Sequence, residues 1–537
     1  MSRRFQTAGP CRPGIDYMIP ASSRLPEVPG LVDQEGYFVV HAPRQTGKTT
    51  TLQALADELT ARERYAAVLF SCEVGRAARD DYGRAARGIL QVIREAAEDA
   101  LPTELRPPQW PDAPDETLLG TALRAWARVC PRPLVLFFDE IDALRGQSLL
   151  SVLSQLRNGY RGRPSQFPAS VALCGLRDVR DCHPRNRFAI PRDPGAAAGG
   201  DPSRLGTSSP FNIKLESLRL GDFAPDEVAE LYGQYTADTG QEFTPAAVGR
   251  AYELTAGQPW LVNALAREIV VKLAVPASAP ITVDHLEQAK ERLILARATH
   301  LDSLAARLAE PRVRRIVQPL LAGDLIQLDP YDDDLAYTRD LGLIAPKNPV
   351  RIANPIYREV IVRVLTSQVE ANVVADPRSF VRSDGRFDFQ LLLREFAEFW
   401  IEHGDVLTST EHYHEVAPQL VLMGFLQRVV NGGGYVEREY GVGAGRIDLL
   451  VRWPYTDQDG KRRWQREALE LKVWHPGKAN PLCQGLTQLD RYLDRLGLDA
   501  GTLILFDRRP GIADITERTQ FDTATTPAGC AVTLLRA

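Results

Sequence analysis

Lysine is the scarce residue of this 537-residue chain: of its 64 basic residues only eight are lysines, at positions 48, 214, 272, 290, 347, 461, 472 and 478. Arginine stands wherever either cation will do, so a lysine kept where chemistry needs a compact ammonium marks its position. Lys48 and Lys472 are such cases. Cysteine is sparse too. The seven cysteines (11, 72, 130, 174, 182, 483 and 530) form no CxxC pair and meet no matched pair of histidines, which argues against zinc and against a disulfide framework and fits a reducing compartment. No apolar run reaches the roughly 18 residues that a membrane helix needs. The N-terminal MSRRFQTAGPCRPG has no apolar stretch behind its basic residues, so no secretory signal is expected and a cytoplasmic location is. The formal net charge of -5 announces no nucleic-acid binder, although an average over several domains can hide a local basic patch.

What is there is ordinary globular composition, 44% hydrophobic and 25% charged. At about 100 to 200 residues per domain the length calls for about three domains. From Gly36 to about residue 180 short apolar runs (GYFVVHA, AAVLF, LVLFF, SVALCG) alternate with helical stretches, the rhythm of a parallel sheet with crossover helices. Residues 184–209, rich in Pro, Gly, Ala and Ser, read as a flexible insertion. From Asp222 to about 300 the spacing is helical, with starts at APDEV and TPAAV. Residues 312–368 combine short helices with a small hairpin in LGLIAPKNPVRIANPIY. Residues 369–386 read as a linker. Beyond it two helices (387–403, 411–430), strands near 435–441, 445–453 and 463–474, a helix over 482–497 and a last strand, TLILF, predict a separate α/β domain. There is no internal repeat.

Two motifs carry chemistry. APRQTGKTT, residues 42–50, follows the strand Tyr37 to Val40 and opens a helix. A phosphate-binding loop needs inward-turned N–H groups, a lysine for the terminal phosphates and a hydroxyl for magnesium at a helix N-terminus, and Gly47, Lys48 and Thr49 supply these parts. The strict GxxxxGK[ST] pattern fails at its first position, where Ala42 stands. Roughly 90 residues on, LVLFFDEID ends a strand in Asp139, suited to hold magnesium, and Glu140, suited to polarise attacking water. A buried strand with a solvated acidic turn is the plainer alternative; both halves in order favour the nucleotide site.

These residues resemble the AAA-like and STAND-type ATPases, a branch near the archaeal and origin-recognition ATPases, over about residues 1–368. The resemblance implies ATP and Mg²⁺ as cofactors and a nucleotide site of Ala42, Pro43, Gln45, Thr46, Gly47, Lys48, Thr49, Thr50 and Asp139. It makes Arg177, in CGLRD, a sensor of the terminal phosphate, and places Pro259, in TAGQPW, by the base in a helical lid. DLGLIAPKNPVRIANPIYREVI resembles the winged-helix module that follows such lids. If these ATPases assemble as homo-oligomers, a neighbour supplies an arginine finger; Arg157, Arg161 and Arg163 are candidates, and none is assigned.

The second motif is GRIDLLV, a turn, then EALELKVW. Glu470 and Lys472 are two apart on a strand and project to one face. A carboxylate pair from adjacent strands, Asp448 and Glu470, can hold a hard divalent cation while the lysine positions or activates water, which is equipment for phosphodiester hydrolysis. A salt-bridged exposed hairpin is the plain alternative. The pattern resembles the PD-(D/E)xK nuclease superfamily, which implies Mg²⁺ or Mn²⁺, adds Glu411 as a further acidic ligand, and gives Gln488 and Tyr492 a place in the motif. His412 and His414 alternate on a helix, do not share a face, and read as structural.

The expected fold is therefore α/β: a P-loop parallel-sheet ATPase core (1–220), a helical lid (221–300), a winged-helix-like module (301–368), a linker (369–386) and a restriction-endonuclease-like domain (387–537). The expected function is an ATPase controlling a nuclease that acts on DNA or RNA, in prokaryotic defence or mobile-element biology. The rival is a STAND-like switch whose output is assembly, with a nuclease-like domain that is inactive or only binds nucleic acid.

Overall fold

The computed structural model describes residues 3–176, 213–296, 299–322, 332–372, 380–409, 417–430, 434–442, 445–474, 476–507, 509, 511 and 513–537, with a few side chains inside helices and strands, Asp448 among them, outside that description. The chain forms two compact units. One comprises residues 1–300, 336–348 and 353–356; the other 301–335, 349–352 and 357–537.

In the first unit five strands, β1 (Tyr37–His41), β2 (Ala66–Ser71), β3 (Leu134–Asp139), β4 (Ser170–Gly175) and β5 (Lys214–Arg219), form a parallel sheet in the order β2-β3-β4-β1-β5. Its central strands are buried along their whole length, which is why they read as unbroken apolar runs. One face packs on helices Tyr82–Ala100, Leu118–Val129 and Gly146–Gly159 through Phe70, Phe138, Ile89 and Trp126. The other packs on the helix Lys48–Ala61 through Leu52, Leu55 and Phe137. β5 was missed from sequence. KLESLR is an edge strand whose residues are only partly buried, so it has no apolar run to betray it.

After β5 come four helices, Pro225–Thr239, Pro245–Thr255, Pro259–Arg267 and Val283–Leu295. Both expected starts hold: the Glu227 side chain accepts from Ala224 N–H at 2.7 Å, and the Thr244 hydroxyl accepts from Ala247 N–H at 3.2 Å. The turn in LGLIAPKNPVRIANPIY is closed by Ala353 N–H donating to the Leu343 carbonyl at 2.9 Å. The insertion at 184–209 lies outside the described residues.

The second unit carries a six-stranded mixed sheet, order β10-β11-β9-β8-β7-β6, from β6 (Tyr435–Val442), β7 (Gly445–Thr456), β8 (Arg462–Trp474), β9 (Ala500–Asp507), β10 (Gln520–Thr525) and β11 (Ala531–Arg536). Helices Phe389–Ser409 and Ala417–Val430 bury one face with Phe396, Trp400 and Phe425, and the helix Leu482–Leu496 covers the other with Leu489 and Leu493. Phe380, inside the stretch read as a linker, is buried in the first of these cores. TLILF is not the last strand: β10 and β11 follow it, and β10 is a polar, exposed edge without the pattern of a half-buried strand. No described helix is long and apolar enough to cross a membrane.

Candidate nucleotide site and acidic site

Ala42 is buried at the end of β1 and donates its N–H to the Gly175 carbonyl of β4 at 3.2 Å. The left-handed residues of the loop are Gln45 (φ 60°) and Gly47 (φ 84°), not residue 42, so alanine meets no backbone penalty there. A side chain at 47 would be strained, and the ideal Cβ position lies 4.0 Å from Arg24 Nη1. Thr46 folds the loop by donating to the Pro43 carbonyl at 3.0 Å. Lys48 then opens the helix, and the Thr50 hydroxyl receives Cys11 N–H at 3.0 Å.

The acidic strand meets this loop directly. Thr49 Oγ1 donates to Asp139 Oδ2 at 2.6 Å, Glu140 N–H donates to Oδ1 at 2.9 Å, and Lys48 Nζ stands 3.9 Å from Oδ1. Glu140 has a left-handed backbone (φ 53°), an uncommon conformation of the kind that gathers at functional sites, and Ser71 on β2 donates to its Oε2 at 2.7 Å. Cys72 and Cys174 lie nearby, and burial pushes both thiols well above the usual range, so neither is a ready nucleophile. The donor set fits magnesium: a hydroxyl and a carboxylate of the kind it takes, already at hydrogen-bond distance from each other.

Further contacts come from elsewhere in this unit. Gln258 Nε2 donates to the Gln45 carbonyl at 3.2 Å, while Pro259, next to it, is the buried first residue of its helix. Gly342 lies against the loop, since a Cβ there would be 2.8 Å from that of Pro43. Arg219 at the end of β5 donates to the Arg339 carbonyl at 3.2 Å. Arg24 is almost fully buried, its guanidinium over the Phe223 ring and 3.7 Å from Glu227 Oε1; burial lowers its pKa against the pull of Glu227 and Asp222. Burial raises the Asp222 carboxyl in turn, opposed by Arg219 and Arg24. An arginine-rich chain offers no way to single out Arg24 or Arg219 by residue type. Arg177 lies outside the described residues.

Residues 32–182 match the family model of the AAA domain. Unit one carries a P-loop ATPase core. Loop, acidic strand and the first four strands of the sheet fall inside the matched span; a P-loop ATPase domain of this kind implies hydrolysis of a nucleoside triphosphate, with ATP and usually Mg²⁺ as cofactors. Among solved structures the chain is similar to the Walker-type ATPase of Pyrococcus abyssi (12% identity, 66% of this chain and 99% of that one, TM-score 0.45). It is also similar to the Holliday junction branch migration motor RuvB of Thermotoga maritima (15% identity, 63% and 92%, TM-score 0.33). A third likeness is to Drosophila ORC bound to DNA (14% identity, 78% and 87%, TM-score 0.33). No curated protein matches the sequence closely enough to be counted a relative.

In the second unit Lys472 Nζ donates to Glu470 Oε1 at 2.6 Å, and the Glu470 side chain is 2% exposed. Leu449 of β7 lies opposite Leu469 of β8, so Asp448 and Glu470 are each one residue beyond that pair on adjacent strands. The side chain of Asp448, and the whole of Glu411, His412 and His414, lie outside the described residues. Among the described residues no three acidic, His or Cys side chains gather as a metal cluster. The helix Leu482–Leu496 covers this pair. Gly485 stands on the lysine stem, and a Cβ there would sit 3.3 Å from Lys472 Cγ and 2.8 Å from a Leu503 methyl. One turn on, Gln488 Oε1 is buried with no hydrogen-bond partner among the described residues, and Tyr492 packs in the core beneath the helix. Gly485 was the residue sequence missed, its signal hidden in QGLTQ three residues before Gln488.

Proposed function

We propose that the ATPase core controls a metal-dependent nuclease in the C-terminal domain, acting on DNA or RNA. The observation that carries this reading is the Glu470–Lys472 pair: a buried carboxylate and a half-buried ammonium 2.6 Å apart, under a helix in the middle of a sheet. A structural ion pair recovers little in such a place, because desolvation cancels most of the attraction, which favours a functional reason for its presence.

In the ATPase we assign Gly47 and the loop N–H groups to the phosphates and Lys48 to their terminal charge. Thr49 and Asp139 would hold Mg²⁺, which neutralises phosphate charge when bound. Glu140, oriented by Ser71, would polarise the attacking water; Arg177 would read the terminal phosphate, and the turn at Pro259 would lie by the base. Residues 221–300 are read as the lid and 301–368 as a winged-helix-like module.

In the nuclease Glu470, with Asp448 and Glu411, would hold Mg²⁺ or Mn²⁺, which lowers the pKa of bound water. Lys472 would position the attacking water, and its ammonium would offset the charge growing on the phosphate. Gln488 and Tyr492 would orient the helix face above it.

The test is cleavage of DNA and RNA by the full chain with Mg²⁺ or Mn²⁺, with ATP turnover read in parallel. Lys472→Ala should abolish cutting and leave ATPase activity in place. Cutting that persists in this variant, or none by the wild type on any substrate, overturns the nuclease reading; the second outcome leaves a switch whose output is assembly or binding.

A further inference from the structure

β8 carries a second chemistry at its other end. Alternate residues of a strand share a face, so Arg462, Trp464 and Arg466 lie on the same side as Glu470 and Lys472. Arg452 of β7 is opposite Arg466, and Tyr435 of β6 is opposite Arg452. There the surface opens into a concavity of about 500 Å³ lined by Arg452, Arg462, Arg463, Arg466, Trp464 and Tyr455 among others. Its far wall is Leu496, the last residue of the helix whose N-terminal turn stands over Lys472.

The cleft is basic and flat-sided at once. Trp464 is 37% exposed and Tyr435 42%, and their centroids are 5.7 Å apart. The guanidinium carbons of Arg452 and Arg462 lie 4.7 and 5.5 Å from the centre of the Trp464 ring. Arg463 is paired with Asp457 at 2.9 Å, whereas Arg462 and Arg466 have no carboxylate partner among the described residues. Guanidinium groups over an exposed indole on a locally positive surface match bases and phosphates together, and only a single strand exposes base faces for stacking. The net charge of -5 conceals this patch.

We propose that this concavity is an anchor for single-stranded nucleic acid, lying roughly 20 Å along β8 from Glu470, six residues at about 3.3 Å each. It rests on the nucleic-acid reading of the domain and not on its catalysis. Arg462 and Arg466 hold phosphates, Trp464 stacks a base, and the strand is thereby held beside the acidic pair instead of within it.

The experiment is fluorescence anisotropy of the full chain with a labelled oligothymidylate of about 20 nucleotides, in EDTA so that no cutting can occur. Trp464→Ala should weaken binding about 10-fold or more, while Trp464→Phe, which keeps a stacking face, stays within about 3-fold. Arg462→Ala with Arg466→Ala should lower the slope of log affinity against log salt by about 1 to 2. Unchanged affinity in Trp464→Ala and in the double variant overturns the proposal, as does tighter binding of a blunt duplex, or displacement of the oligonucleotide by polyglutamate at equal charge, which would make the surface an acidic-peptide site. Melting curves of each variant show that the domain still folds. Anchoring that persists when no metal supports cutting would sink the catalytic reading and leave this one standing.

Discussion

Each unit sets a lysine beside a buried carboxylate, and the two pairs are built differently. In the first, Asp139 is already satisfied by the Thr49 hydroxyl at 2.6 Å and the Glu140 N–H at 2.9 Å, and Lys48 stands off at 3.9 Å. In the second, Lys472 is in direct contact with Glu470 at 2.6 Å. A carboxylate served by neutral donors leaves its lysine able to reach outward to a phosphate. A carboxylate clasped by its lysine loses a direct charge partner inside the sheet when that lysine is removed. Similar residues thus predict opposite responses to the same substitution.

The largest expected effect tests the first half of that contrast. Lys48→Ala should lower ATP turnover about 10³-fold by removing charge stabilisation at the terminal phosphate, with little change in melting temperature, because Asp139 keeps its other donors. Unaltered nucleotide affinity would break the claim. Lys472→Ala should do the reverse to its own unit: Glu470 loses its cation while buried, and the domain should lose about 3 kcal/mol, read by denaturant unfolding. Adding Glu470→Gln should recover part of the loss; if it deepens the loss instead, the ion pair is not what strains the single variant.

Acid should separate the units a little less strongly. Burial lowers the pKa of His300, in unit one against the ring of Trp260, to about 4. The unfolded chain takes up this proton near 6.5 and the folded chain only near 4, so the unfolded state binds more protons across that window. Stability is fully present above about pH 6.5 and is lost as pH falls towards 4, by about 2 to 3 kcal/mol. His300→Phe should flatten the pH dependence of unit one's melting and leave unit two's alone; an unchanged profile would exclude His300 as the cause. The smallest effect is at Gly485, where alanine would press on Leu503 and Lys472; about 1 to 2 kcal/mol is expected, with weaker cutting if the helix must lift from the lysine.

The strands most legible in the sequence are those buried on both faces, such as LVLFFD and SVALCG, where apolar side chains must be continuous. Of those it missed, KLESLR and QFDTAT are edges whose residue types do not require a strand, while AVTLLR (β11) is an interior strand whose buried residues Val532, Leu534 and Leu535 do not alternate regularly. The same division holds at the sites. Lys48, Thr49 and Asp139 were legible because a phosphate loop needs those atoms in that order. Ser71 and Arg24 were not, because each reaches the site across a gap in sequence and carries no motif of its own, and Gln258 lies in TAGQPW, where only Pro259 was singled out.

The P-loop, the acidic strand that serves it and the two-apart spacing of Glu470 and Lys472 are written locally in the chain, since each follows from periodicity and the chemistry of a few residue types. It takes the folded molecule to show that Ala42 sits at a position free of positive φ, that Thr49 meets Asp139, that Gly485 rides on Lys472, and that Arg452, Arg462, Arg466 and Trp464 line the same concavity. These are relations between strands and helices far apart in the chain, fixed by sheet register and close packing, and no local pattern encodes them.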